Sequence, residues 1–162
     1  MPIGQHPRPA PNGVTLTEPL EVVEAFLEAL ASAEVDRAVG YLAPGIRYTN
    51  VGLPTIKGSE GVAAVLEGLD RPSVRFEVYI HSIATNGPLV LNERTDVIQV
   101  GPVRTQFWVC GRFEVHDGLI TLWRDYFDNL DILRGVGRGL LGAVVPSLRP
   151  EPPESPRSMP GR

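Results

Sequence analysis

The run Trp123-Arg124-Asp125-Tyr126-Phe127-Asp128 places ionisable groups inside a segment that otherwise reads as a strand. An aspartate among Trp, Tyr and Phe is poorly solvated. A buried carboxylate is costly unless it is paired or holds a proton. Asp125 therefore either anchors an ion pair or does chemistry. A second segment, Glu93-Arg94-Thr95-Asp96-Val97-Ile98, supplies a cation and another acid. A third, Tyr48-Thr49-Asn50, supplies a phenol and an amide. The two-residue period of a strand sorts these groups. Arg94 and Asp96 share one face, Tyr48 and Asn50 share one face, and Asp125 shares a face with Trp123 and Phe127. If those faces line one cavity, two carboxylates, a guanidinium, a phenol and an amide converge there.

Such a set suits the opening of a small strained ring by water. An epoxide needs a proton on its leaving oxygen and a deprotonated water at carbon. One carboxylic acid can supply the proton while one carboxylate activates the water. Tyr and Asn can aim that water, which a base alone does not do. One Arg⁺, one Asp⁻ and one neutral Asp sum to zero charge. Their joint burial then costs far less than that of two bare carboxylates. The two acids would titrate as a unit.

Blander readings exist for each group taken singly. Arg94-x-Asp96 fits a surface or structural ion pair. Asp125 fits a satisfied strand-end aspartate, and Tyr48 a core tyrosine. A structural pair does not explain the Tyr and the Asn. Asp128 and Asp131 read as helix N-terminal residues. His81, on the polar face of an alternating strand, and His116, in a turn, have no metal-ligand spacing. Both read as structural, and no metal is expected. Cys110 reads as packing, with no base beside it. Trp108, Phe107 and Phe113 read as core or pocket wall.

The elements that must position these residues follow from periodicity. Residues 18–31 carry Leu20, Val23, Leu27 and Leu30 on one helical face, with Thr17 as N-cap and Pro19 in the first turn. A shorter helix spans 33–42 and stops before Pro44-Gly45. Ser59 caps a third, with Val62, Val65, Leu66 and Leu69 at helical spacing. Strands follow at 46–51, 74–81, 88–100, 103–115 and 119–127, the last four as an antiparallel meander. Glycines at 135, 137, 139 and 142 weaken a C-terminal helix, each by about 1 kcal/mol relative to Ala. Leu130, Leu133, Leu140, Leu141 and Val144 still hint at one. The glycine run lacks the Lys-Ser/Thr of a phosphate loop, so flexible helix or loop is the better reading.

Helices first and a meander later is an α+β pattern. The expectation is a cone: a strongly curved mixed β-sheet packed on the N-terminal helices, with a pocket between them. Val62, Leu66, Leu69, Trp108 and Phe127 are the candidate substrate contacts.

With all three motifs in order, the chain resembles the limonene-1,2-epoxide hydrolase family. The resemblance rests on Tyr48-x-Asn50, Arg94-x-Asp96 and the run 123–128, and covers roughly residues 18–130. It implies a nuclear transport factor 2-like (SnoaL-like) fold, a homodimer, and no metal or organic cofactor. It implies one-step hydrolysis of an apolar epoxide to a vicinal diol. By position, Asp125 resembles the general base, Tyr48 and Asn50 the water holders, Asp96 the general acid and Arg94 the bridge. Terpene, fatty-acid and sterol epoxides all fit, as does a role in detoxification. The Gly- and Pro-rich extension after residue 134 departs from the family pattern. Two other readings use the same fold. A ketosteroid isomerase or polyketide cyclase needs one base and an oxyanion donor, not an Arg between two acids. A non-catalytic binder of apolar ligands needs neither.

Bulk properties agree with one such domain. The 162 residues are 43% apolar and 21% charged, enough for one core. A net charge of −4 without a Lys/Arg run argues against nucleic acid. The lone Cys110 rules out an internal disulfide and fits a cytoplasmic setting. No apolar run is long enough to span a membrane, and no membrane partner is expected. Proline density marks residues 1–13 and 146–162 as disordered tails around a domain over 14–145.

Overall fold

The computed structural model describes residues 16–154 and the backbone of residues 157–159. The expected tail over residues 1–13 lies outside them. Two helices open the fold, α1 (Pro19–Ala31) and α2 (Val35–Gly40). Next come β1 (Leu42–Asn50), the short β2 (Ile56–Lys57) and α3 (Ser59–Leu66), which tightens into a 3₁₀ turn over Glu67–Asp70. Strands β3 (Val74–Asn86), β4 (Leu89–Val100), β5 (Val103–His116) and β6 (Leu119–Tyr126) form the meander. Helix α4 (Asn129–Val144) and the three-residue β7 (Arg157–Met159) close the chain. The strands make one open, curved α+β sheet in the order β2-β1-β6-β5-β4-β3-β7. Every pairing is antiparallel except β1 with β6, which is parallel.

Helix α1 fills the concave face of the sheet. Val22, Val23, Phe26, Leu27 and Leu30 are buried against Val78, Ile80, Val90, Phe113, Ile120 and Trp123. Phe26 meets Trp123 edge-on, with ring centroids 5.0 Å apart. Each such side chain contributes about 1.5–3 kcal/mol by leaving water. The Asp117-Gly118 turn takes positive φ at both residues, 52° and 73°. That twist matches a two-residue hairpin loop and sets the β5–β6 register.

Several boundaries differ from the periodic reading. Glu18, not Thr17, is the N-cap of α1, and no side chain caps it. Gly58 precedes α3, so Ser59 is its first helical residue. Strand β1 begins at Leu42 and carries Pro44-Gly45 within an irregular stretch where its pairing with β6 shifts register. In β3 a bulge at His81 swaps the strand's parity, so that Ile83 rejoins the core. His81 bonds Thr95 through Nε2 at 2.9 Å. The stretch over 146–162 is not wholly irregular. Pro146–Leu148 forms a 3₁₀ turn, and the backbone of Arg157–Met159 pairs with β3.

The glycine-rich segment is a continuous helix, and its glycines explain how it is placed. Strand β6 ends at Tyr126 opposite Cys110, which leaves residues 103–109 of β5 without a strand on that side. Helix α4 lies there and covers the edge. A Cβ on Gly135 would sit 2.6 Å from the Gln106 carbonyl oxygen, and one on Gly139 2.4 Å from that of Arg104. No larger residue allows the helix so close. The leucines point the other way: Leu133, Leu140 and Leu141 are exposed. Asp128 caps the helix, its Oδ1 accepting from the Leu130 amide at 2.8 Å.

On the convex face, Arg104 donates to both oxygens of Glu77, at 3.0 and 2.8 Å. The Tyr79 hydroxyl donates to the same carboxylate at 2.7 Å. The Arg104 hydrogen bond holds the Glu77 carboxyl below its usual pKa, against the opposing effect of burial. A depressed folded-state pKa stabilises the fold above the unfolded value and loses that stabilisation as pH falls through the folded one. Arg104→Gln should therefore cost about 2 kcal/mol at neutral pH and flatten the acid limb of stability. Urea denaturation at stepped pH checks this; an acid limb as steep as in the unsubstituted protein would contradict it.

Candidate active site

Register builds the site. The parallel β1–β6 pairing sets Tyr48 beside Trp123 and Asn50 beside Asp125. The β5–β6 pairing sets Gly111 opposite Asp125, and β4–β5 sets Asn92 opposite Gly111. Arg94 and Asp96 follow Asn92 at the two-residue strand period, on the same concave face.

Arg94 is the largest fully buried side chain among the described residues, 1% exposed. Its Nε donates to Asp96 Oδ1 at 2.8 Å and its Nη2 to Asp96 Oδ2 at 3.1 Å. Nη2 also donates to Asp125 Oδ2 at 2.7 Å. One guanidinium therefore joins both buried carboxylates. Desolvation pushes the Asp96 pKa up, Arg94 pulls it down, and the charge of Asp125 adds to the rise; the net direction is up. The two acids hold the Arg94 pKa above its ordinary value, against the desolvation that would lower it. Asp125 Oδ1 is buried and accepts no hydrogen bond from the described residues.

The phenol and amide form a second pair. Asn50 Nδ2 donates to the Tyr48 oxygen at 2.8 Å. That leaves the Tyr48 O–H and the Asn50 carbonyl oxygen to hold something else. Tyr48 stacks on Trp123, with centroids 4.0 Å apart and planes 27° apart, which fixes the ring. Burial, then the nearby Asp125 charge, pushes the Tyr48 pKa to about 12, so the hydroxyl keeps its proton.

These five groups line a cavity of about 250 Å³. Its other walls are apolar: Leu27 and Leu30 from α1, Val65, Leu66 and Leu69 from α3 and its 3₁₀ turn, then Phe76, Ile98, Phe107, Val109, Trp123, Phe127 and Ile132. The expected contacts Leu66, Leu69 and Phe127 lie in this wall; Val62 and Trp108 do not. Val62 is fully buried in the core, while Val65 is half-exposed and lines the cavity. Trp108 falls on the convex face, 44% exposed, and its Nε1 donates to Glu93 at 3.0 Å. Parity in β5 carries the signal. Phe107 and Val109 share a face with Gly111 and Phe113, so Trp108 must face away. Among the described residues, no group of three His, Cys, Asp or Glu side chains is placed to hold a metal ion. Nor is any helix long and apolar enough to cross a membrane.

Known proteins share the scaffold and much of the sequence. The limonene-1,2-epoxide hydrolase catalytic domain matches residues 17–138. The chain belongs to the limonene-1,2-epoxide hydrolase family. It is an enzyme of the epoxide hydrolase class. The epoxide hydrolase EphG of Mycobacterium tuberculosis is 50% identical over 127 residues, 78% of this chain and 85% of EphG. A solved limonene-1,2-epoxide-hydrolase-like structure from that organism superposes with a TM-score of 0.79 at 48% identity. It covers 84% of this chain and 96% of its own. A putative polyketide cyclase from Xanthomonas campestris, 21% identical with a TM-score of 0.65, covers 73% of this chain and 96% of its own. That likeness is one of fold alone. The fold is of the nuclear transport factor 2-like kind.

Proposed function

We propose that this epoxide hydrolase converts an apolar epoxide to a vicinal diol by direct attack of water, with no covalent enzyme ester. The observation that carries the proposal is the single guanidinium joining Asp96 and Asp125 inside an apolar cavity. Asp125 is ionised, its Oδ2 pinned by Arg94 and its Oδ1 left to take a proton. The Tyr48 O–H donates to the water and the Asn50 carbonyl accepts from it. Its remaining hydrogen goes to Asp125 Oδ1. Asp96, whose pKa is raised, is neutral and donates its proton to the epoxide oxygen as the carbon–oxygen bond breaks. Overall charge on the trio stays at zero throughout. Apolar walls favour a substrate that leaves water readily. Leu66, Leu69 and Phe127 contact it. A homodimer in the cytoplasm, acting on terpene, fatty-acid or sterol epoxides, fits the same reading.

The test is single-turnover hydrolysis of a panel of apolar epoxides in ¹⁸O-water. Direct attack labels the diol in the first turnover. Unlabelled first-turnover diol would instead mean that a carboxylate oxygen had been transferred through an ester.

A further inference from the structure

The reaction as proposed leaves two buried residues beside Arg94 unused. Asn92 is 3% exposed and does not line the cavity. Its Oδ1 accepts from Arg94 Nη1 at 3.0 Å. A guanidinium only donates, so the amide orientation is settled: the carbonyl must face Arg94. The cost falls on the other end. Asn92 Nδ2 is buried with no hydrogen-bond partner among the described residues. An apolar residue would avoid that orphaned donor. The carbonyl contact is what an apolar residue cannot supply.

Gly111 is the second. It lies between Asn92 and Asp125 in one row across β4, β5 and β6. Arg94 belongs to β4 and Asp125 to β6, so the guanidinium must pass over β5 to bond both acids. It passes at Gly111. A Cβ there would sit 2.3 Å from Arg94 Nη1 and 2.6 Å from Asn92 Oδ1. The glycine's backbone does not lie in the left-handed region, so space and not conformation demands it.

We infer that Asn92 and Gly111 are positioning residues for hydrolysis. Gly111 is the gap through which Arg94 reaches Asp125. Asn92 is the neutral stop that holds the guanidinium in that gap without adding a third anion. The inference rests on the roles proposed for Asp96 and Asp125. Neither residue touches substrate, so their effect passes through Arg94 alone. A shift of about 1 Å in a catalytic group can cost about 10²-fold in rate.

Steady-state kinetics on an apolar epoxide, with thermal unfolding as a control, test the cradle. Asn92→Leu and Gly111→Ala should each lower kcat by about 10–10²-fold while KM stays within about twofold, because the cavity wall is untouched. Their double variant should be non-additive, since both act on one guanidinium. Asn92→Asp keeps the shape and the acceptor but adds an anion to the group formed by Arg94, Asp96, Asp125 and Tyr48. An added negative charge raises the pKa of each acid. The pH–rate profile should therefore move to higher pH, with kcat largely restored there. Asn92→Leu with kcat within twofold of normal, or an unshifted Asn92→Asp profile, would overturn the inference. So would kcat losses that track unfolding and bring equal changes in KM. If Asp125→Asn stays active, the catalytic reading has failed instead. If Asp125→Asn is inactive and the Asn92 and Gly111 variants are normal, the cradle alone is wrong.

Discussion

Asp125→Asn should abolish most diol formation while leaving the fold intact. Asparagine matches the shape, and its carbonyl can still accept from Arg94 Nη2, where the carboxylate accepts at 2.7 Å. What is lost is the basic oxygen now free at Oδ1. General base catalysis contributes about 10²–10⁴-fold, and kcat should fall by that much. A second loss follows. The Asp125 charge is one of the causes that raise the Asp96 pKa. Without it, Asp96 is the only counter-ion of Arg94 and ionises more readily, so the proton donor is depleted as well. Asp96→Asn should be comparably damaging for the reciprocal reason. The double variant should be little worse than either single one, because each already disables the concerted step. Burst-free kinetics with thermal unfolding settle the matter: an Asp125→Asn enzyme with near-normal kcat sinks the assignment.

Arg94→Met should be the most destabilising single change in the site. It leaves the Asp125 carboxylate and the Asp96 acid buried beside each other with no cation. Removing one partner of a buried pair costs about 3–5 kcal/mol. Without the guanidinium, burial and mutual repulsion raise the folded pKa values of the remaining acids, which then take up protons. Such groups stabilise the fold below their unfolded pKa of about 4 and lose that contribution as pH rises through the folded value. The variant should therefore recover stability in mild acid and lose it towards neutrality and above. Arg94→Lys should recover part of the stability at neutral pH but little activity, since an ammonium lacks the planar fork that reaches both acids. Urea midpoints at acid and alkaline pH separate these cases. Equal destabilisation of Arg94→Met at both would refute the charge argument.

The sequence made the chemistry more legible than the geometry that delivers it. Alternation assigns Arg94 with Asp96, and Tyr48 with Asn50, to common faces because the two-residue strand period is local. No local pattern says that β1 runs parallel to β6, although that pairing sets Asn50 beside Asp125. Helical spacing groups Val62, Val65 and Leu66 without giving the helix phase, so the core-facing and cavity-facing valines are exchanged. Parity along β5 would have turned Trp108 outward. The glycines of α4 misled because helix propensity counts them as a cost. Their close approach to β5 outweighs it. Gly111 carried no signal at all: its role depends on a side chain from one strand crossing a second to reach a third.

The helix that shields the bare stretch of β5 also carries Ile132, part of the cavity wall. Protection of the sheet and shape of the binding space are therefore not separable on that side. A bulky residue at Gly135 or Gly139 lifts the helix, uncovers backbone that other chains can pair with, and moves Ile132 in one stroke. Anyone reshaping substrate preference has freer ground across the cavity. There Val65 and Leu69 border the same space without guarding an edge.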